Sequence, residues 1–162
     1  MSNAIQPEGD ASRLPDTGQS PRIGYWHLWT DEHGVSHQTR CELDRFDLKG
    51  IGNAAPQWNN SQATTGATVV FTVLPAGWVG EWHENPAPQW ILPMSGRWWV
   101  QSMDGTRVEM GPGELSLGED QGSVSDSAQR KGHRSGTIGN EPAILATIQL
   151  HVAAIHQPGH FR

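Results

Sequence analysis

From Ile23 onward the chain runs in short apolar or alternating stretches, broken at close intervals by Gly, Pro and Asn. That rhythm predicts an all-β fold, a sandwich or barrel of about ten short strands. Residues 24–30 (GYWHLWT) lead into Asp31-Glu32-His33-Gly34, a hairpin turn signal, and 35–46 resume as a strand. Residues 49–66 read as a long connection rich in Asn, Gln and Ala. In 67–74 (ATVVFTVL) β-branched and aromatic residues occupy both parities, which reads as a strand buried on both faces. Strands are expected at 79–85, 89–94 and 97–102, and Asp104-Gly105 predicts a tight turn that pairs 97–103 with 106–110. Further strands fall at 114–118, 131–138 and 143–151. No run of twelve residues holds a 3.6 period, so any helix is short.

Residues 1–22 are polar and rich in Pro, Gly, Ser and Asp, without an apolar period to anchor them. They are expected to form a tail, followed by one domain over 23–155 and a C-terminal tail over 156–162. A chain of 162 residues suits one domain with its own core. Eleven basic against seventeen acidic residues give a formal charge of −6, with the basic residues scattered. Nucleic acid and anionic membranes are therefore not expected partners. The single cysteine, Cys41, rules out an intramolecular disulfide and any paired-thiol zinc site, and a reducing cytoplasm fits it best. No stretch approaches the length of an apolar spanning helix and the N-terminus lacks a signal-peptide pattern, so the chain reads as soluble and unexported.

The chemistry concentrates between Gly77 and Gly96, where the spacing is Gly77-x5-His83-x-Asn85-x3-Gln89-x6-Gly96. Further on stand Gly111-Pro112-Gly113-Glu114, Glu119-Asp120 and Gly132-His133. Together with Trp82-His83, Ala87-Pro88-Gln89 and the opening 30–37 (TDEHGVSH), these residues make the chain resemble the cupin superfamily, in particular small single-domain bacterial cupins of mostly unassigned activity. The resemblance covers about 67–150 and implies a jelly-roll β-barrel, with a divalent metal held by the histidines and carboxylate of its two motifs. Here Asn85 stands where a second histidine is usual and Gln89 where glutamate is usual. The second motif departs further, because His133 lies fourteen residues beyond Glu119 and 122–130 reads as an insertion near the barrel mouth.

On this resemblance His83, Gln89 and His133 are the expected metal ligands, for Fe, Mn, Ni or Zn. They lack the negative charge that compensates a buried cation, and Glu81, of the same strand parity as His83, or Glu119 or Asp120 would have to supply it. The implied activity is a metal-dependent enzyme acting on a small organic molecule, of oxygenase, lyase or isomerase type. The alternatives are a metal-free acid/base isomerase or cyclase using His83 with Glu81 or Glu119, and a binding or sensing cavity without catalysis.

Eight tryptophans supply packing area, and a minority are expected to line the pocket. Trp90 opposes Gln89 in strand parity and is expected outside it. Tyr25, His27 and Trp29 share a face, and His27 is as readily structural as functional. His151, His156 and His160 read as surface or tail residues. Cys41 has no basic neighbours to activate it. A homodimer through the Trp-rich first strand is expected.

Overall fold

The computed structural model describes residues 20–50 and 56–162. The N-terminal tail expected over 1–22 lies, up to residue 19, outside the described residues, as do 51–55 of the long connection. The described chain is all-β, with eleven strands: β1 (Ile23–Thr30), β2 (Ser36–Leu43), β3 (Asp47–Lys49), β4 (Gln57–Asn59), β5 (Ala67–Leu74), β6 (Gln89–Ser95), β7 (Arg97–Ser102), β8 (Arg107–Met110), β9 (Ser116–Glu119), β10 (His133–Ile138) and β11 (Ala143–Leu150). Among the described residues no helix is long and apolar enough to cross a membrane.

Six strands form one sheet in the order β2-β1-β9-β6-β11-β5, and three form a second in the order β10-β7-β8. β3 and β4 make a small separate two-stranded sheet, with β4 inside the stretch read as connection. The sheets do not close into a barrel, and this corrects one of the two architectures expected. Residues 79–85, expected to form a strand, do not form one. They make only two isolated bridges along β10, Val79 to Gly136 and His83 to His133. Gly80 weakens this segment as a strand, and Pro86 and Pro88, which lack an N–H to donate, end it.

Strand alternation sends apolar residues of the large sheet to both of its faces. Leu28, Leu74, Ile91 and Leu145 meet Trp98, Val100, Val108 and Met110 of the small sheet in one core. Tyr25, Cys41, Trp90, Leu117 and Leu150 form a second core on the opposite face. Each side chain buried there contributes roughly 1.5–3 kcal/mol before ordering costs.

The last seven residues, read from the sequence as a tail, complete that second core. Phe161 packs against it with its ring 5.4 Å from Trp90, and the Tyr25 hydroxyl donates to the Phe161 carbonyl at 2.9 Å. An aromatic ring close to the C-terminus supplies enough apolar area to hold the segment down.

β5 forms where expected but is not buried. It is the edge of the large sheet, and Val69, Phe71 and Val73 are 57%, 70% and 62% exposed. Its β-branched composition matches a strand covered on both faces, yet no described element covers the outer one.

Two turns are tied together by His37. Its Nε2 meets Asp31 of the β1–β2 turn at 2.8 Å and its Nδ1 meets Asp104 of the β7–β8 turn at 2.9 Å. Burial alone would lower the His37 pKa, but the two carboxylates raise it above the ordinary histidine value.

Candidate functional site

A cavity of about 270 Å³ opens between the two sheets. His83, Asn85, Gln89 and His133 line its polar side, while Trp78 and Trp98 form part of its apolar wall. Trp90, on the opposite parity to Gln89, lies in the second core.

The two histidines are brought together by backbone pairing. His83 N donates to the His133 carbonyl at 2.8 Å and His133 N donates back at 2.9 Å, which places the ring centroids 4.5 Å apart. Gly132 makes this approach possible. Its φ is +72°, and a Cβ there would run into the His83 carbonyl and the Glu84 amide, so a side chain is excluded. The Ser36 hydroxyl, fully buried, donates to the Gly132 carbonyl at 2.5 Å and fixes the turn from behind.

Each ring is anchored through Nδ1. His83 Nδ1 donates to the Glu81 carbonyl at 2.8 Å, and His133 Nδ1 donates to Asp120 Oδ2 at 2.6 Å. These bonds assign both tautomers. They leave both Nε2 atoms without a protein partner among the described residues. His83 is exposed at the cavity mouth, whereas His133 is 4% exposed.

Asp120 is the buried end of a polar chain. Its Oδ1 accepts from Asn85 N at 2.9 Å and from Asn85 Nδ2 at 2.6 Å. Asn85 Oδ1 accepts from Gln89 Nε2 at 2.5 Å, and Gln89 Oε1 accepts from Gln149 Nε2 at 3.2 Å. Burial pushes the Asp120 pKa up, but its pairing with His133 and the two Asn85 donors outweigh this and hold it below the usual carboxylate value. The carboxylate therefore stays charged and keeps the His133 ring in one orientation.

Of the residues expected from the sequence, His83, Gln89 and His133 thus share one cavity. Glu81 contributes its backbone carbonyl to His83, its side chain is exposed, and it does not line the cavity. Glu119 points away, and its neighbour Asp120 takes the inward place. The segment 122–130 is pinned rather than free: Ser123 N donates to Glu84 Oε1 at 2.8 Å and Val124 N to the Gly34 carbonyl at 2.8 Å.

Glu119 serves a second cluster on the other face of the large sheet. Its Oε2 accepts from His27 Nε2 at 2.9 Å and from His160 Nε2 at 2.8 Å, and its Oε1 accepts from Ile155 N at 3.2 Å. His27 is fully buried, Glu119 is 1% exposed, and the three ligand atoms lie within 4.8 Å of one another. The group could hold a metal ion. Burial opposes ionisation of Glu119, yet the hydrogen bonds and charges of His160 and His27 lower its pKa to about 2. The His27 pKa is also lowered, because burial outweighs the attraction of Glu119. Both members of the pair shift down, so the contact is a neutral imidazole donating to a carboxylate. The sequence signal for this cluster was the shared parity of Tyr25, His27 and Trp29; His160 lay hidden in the stretch read as a tail.

A wider and more open hollow of about 620 Å³ lies beside Trp29, Asp31, Gln121 and His156. It lacks a converging pair of free ring nitrogens, so the chemistry is assigned to the smaller cavity.

No family model and no curated protein matches this sequence. A solved structure described as protein NMB1881 from Neisseria meningitidis aligns over 65% of this chain and 82% of its own, with 16% identity and a TM-score of 0.37.

Proposed function

We propose that the chain is a cupin-type jelly roll and an enzyme acting on a small organic molecule in the cavity between its sheets. His83 and His133 move protons there. The observation that carries this reading is the anchored pair: two imidazoles with centroids 4.5 Å apart, each held through Nδ1 and each with Nε2 unengaged. A base must sit within hydrogen-bonding reach of the proton it takes and must be fixed in tautomer. The Asp120–His133 contact supplies the second condition, in the same way that a buried carboxylate orients a catalytic imidazole elsewhere.

A divalent metal is the second reading, favoured by one feature. A carboxylate bonded to the distal nitrogen of an imidazole is also how metal-ligating histidines are oriented. His83 and His133 fit such an ion, whether Fe, Mn, Ni or Zn, and the ion would act there as a Lewis acid or redox centre. Gln89 fits it less well, since its oxygen already accepts from Gln149 and it brings no charge.

Two measurements separate these readings. Deuterium uptake at enolisable C–H positions is followed across a panel of small carbonyl compounds, for the native chain and for His83→Ala and His133→Ala. Exchange above background in the native chain only supports proton transfer; identical traces for all three sink the enzymatic reading in favour of a binding cavity. Metal analysis of protein without a His-tag then assigns any ion to the cavity if the same two substitutions remove it.

The homodimer is proposed at a different surface from the one expected. Tyr25, His27 and Leu28 of β1 are buried within the chain itself, so the first strand is not free to pair. β5, β6 and β11 carry no charged residue, and β5 presents Val69, Phe71 and Val73 at a sheet edge. An uncharged apolar face matches its own two-fold copy without a charged partner. The buried single thiol suits a reducing cytoplasm.

A further inference from the structure

We propose that His27, Glu119 and His160 form a structural site for one divalent zinc-like ion that staples the C-terminal segment to the large sheet. The site lies on the opposite face from the cavity and has no part in the proposed proton transfer.

The donor set has the composition such an ion takes, two imidazoles and one carboxylate. All three side chains are buried or nearly so, with His160 at 10% exposure. Glu119 Oε2 already stands 2.9 Å and 2.8 Å from the two ring nitrogens. Ligand atoms around a tetrahedral ion with bonds near 2.0–2.1 Å lie only a few tenths of an ångström further apart than these two distances, and the two ring nitrogens are within 4.8 Å of each other. The Ile155 amide holds Glu119 Oε1 and leaves Oε2 facing both histidines, an outer contact of the kind that orients a ligating carboxylate. One charged ligand on a dication leaves a net positive charge, which a water or hydroxide in the fourth position would share.

The binding step moves protons within the two rings. In the metal-free form both Nε2 atoms carry hydrogen, because both donate to Glu119. An ion on Nε2 requires that nitrogen to be bare, so the ring hydrogen then sits on Nδ1. For His27 this conflicts with one contact, since Gly159 N now donates to that Nδ1 at 3.3 Å. Gly159 is suited to resolve the conflict. It has φ +74°, and as a glycine it carries no side chain to restrict a change in its own backbone angles. Ion binding and a small reorganisation around Gly159 are thus one event.

The ligands come from three distant places: His27 from β1, Glu119 from the end of β9, and His160 from the segment that carries Phe161. An ion shared among them closes the chain's end onto its first strand.

The test uses Zn(II) alone, titrated calorimetrically into the full chain without a His-tag, with the C-terminal residues followed by carboxypeptidase trimming. One ion per chain is expected, with trimming slowed by Zn(II). His160→Ala, at a site where truncation leaves both cores in place, is expected to weaken binding by about 100-fold or more and to abolish the protection. The His83→Ala/His133→Ala double variant, shown to be folded at the temperature of the titration, is expected to bind as the native chain does. Failure of the native chain to bind Zn(II), binding unaffected by His160→Ala, or loss of the ion in the cavity double variant each overturns the proposal. The last outcome places the ion in the cavity, and so also separates this site from the function proposed above.

Discussion

His133 Nδ1 and Asp120 Oδ2 stand 2.6 Å apart, with His133 4% and Asp120 0% exposed. Removing one partner of a buried hydrogen-bonded pair strands the other, so His133→Ala is expected to cost roughly 3–5 kcal/mol in urea unfolding. His83 faces solvent and its ring bonds only to a carbonyl two residues away, so His83→Ala is expected to stay within about 0.5 kcal/mol of the native chain. Equal losses for the two substitutions would contradict the anchoring described above.

Acid should loosen the C-terminal segment first. Glu119, depressed to about 2 from an ordinary 4.5, contributes stability that is present above its unfolded value and lost as pH falls from about 4.5 towards 2. The full contribution is roughly 3 kcal/mol on the usual conversion of a pKa shift to free energy. His27 acts in the same direction. The folded chain keeps it neutral, so the unfolded chain takes up its proton first as pH drops below the ordinary histidine value. Glu119→Gln is expected to flatten the acid limb of a stability-against-pH curve, and a curve of unchanged slope would show that the carboxylate is not paired in solution.

The His37 clasp carries the opposite sign. Its pKa is raised, so its stabilisation is fully present below the unfolded value and fades as pH rises through the folded one. Each of its partly exposed ion pairs is worth about 1 kcal/mol at most. A ring-proton NMR titration is expected to show His37 losing its proton above the ordinary histidine range, and His37→Gln is expected to remove the alkaline loss; a titration at or below that range contradicts the double pairing.

Gly132→Ala is expected to break the His83–His133 bridge. The new methyl would press on the His83 carbonyl from a backbone at φ +72°, and strain of this kind costs about 1–3 kcal/mol. Amide exchange at His83 and His133 should accelerate more than exchange in β7, the strand beside β10. Uniform acceleration would mean that the bridge has no special dependence on the glycine.

Phe71→Glu is expected to convert the proposed dimer to a monomer in sedimentation equilibrium, with little loss of stability, since Phe71 is 70% exposed. A native chain that sediments as a monomer removes the proposal altogether.

Most strands were legible because each lies between turn residues that act locally. Asp104-Gly105 needs no distant information, and the structure places β7 and β8 on either side of it. Local signals failed where the environment decides. The composition of β5 indicates a strand without indicating what covers it. Residues 79–85 have strand-like alternation, but Gly80 and the two prolines leave only two bridges. In the site, the spacing around His83 and Gln89 carried their shared cavity, while the choice between Glu119 and Asp120 turned on which of two consecutive residues faces inward. No local signal links His27 to His160, because the carboxylate that joins them is 92 and 41 positions away.

Glu119 and Asp120 share a single peptide bond and face opposite ways, one towards His27 and His160, the other towards His133 and Asn85. The strand end is therefore a common pivot for two otherwise separate sites. Insertion or deletion of one residue at this point would exchange the two faces, turning each acid away from its histidines at once. Length changes here are an all-or-nothing event for both clusters, whereas point substitutions can alter them independently. Chains descended from this one should accordingly vary in the identity of these two residues far more readily than in their number.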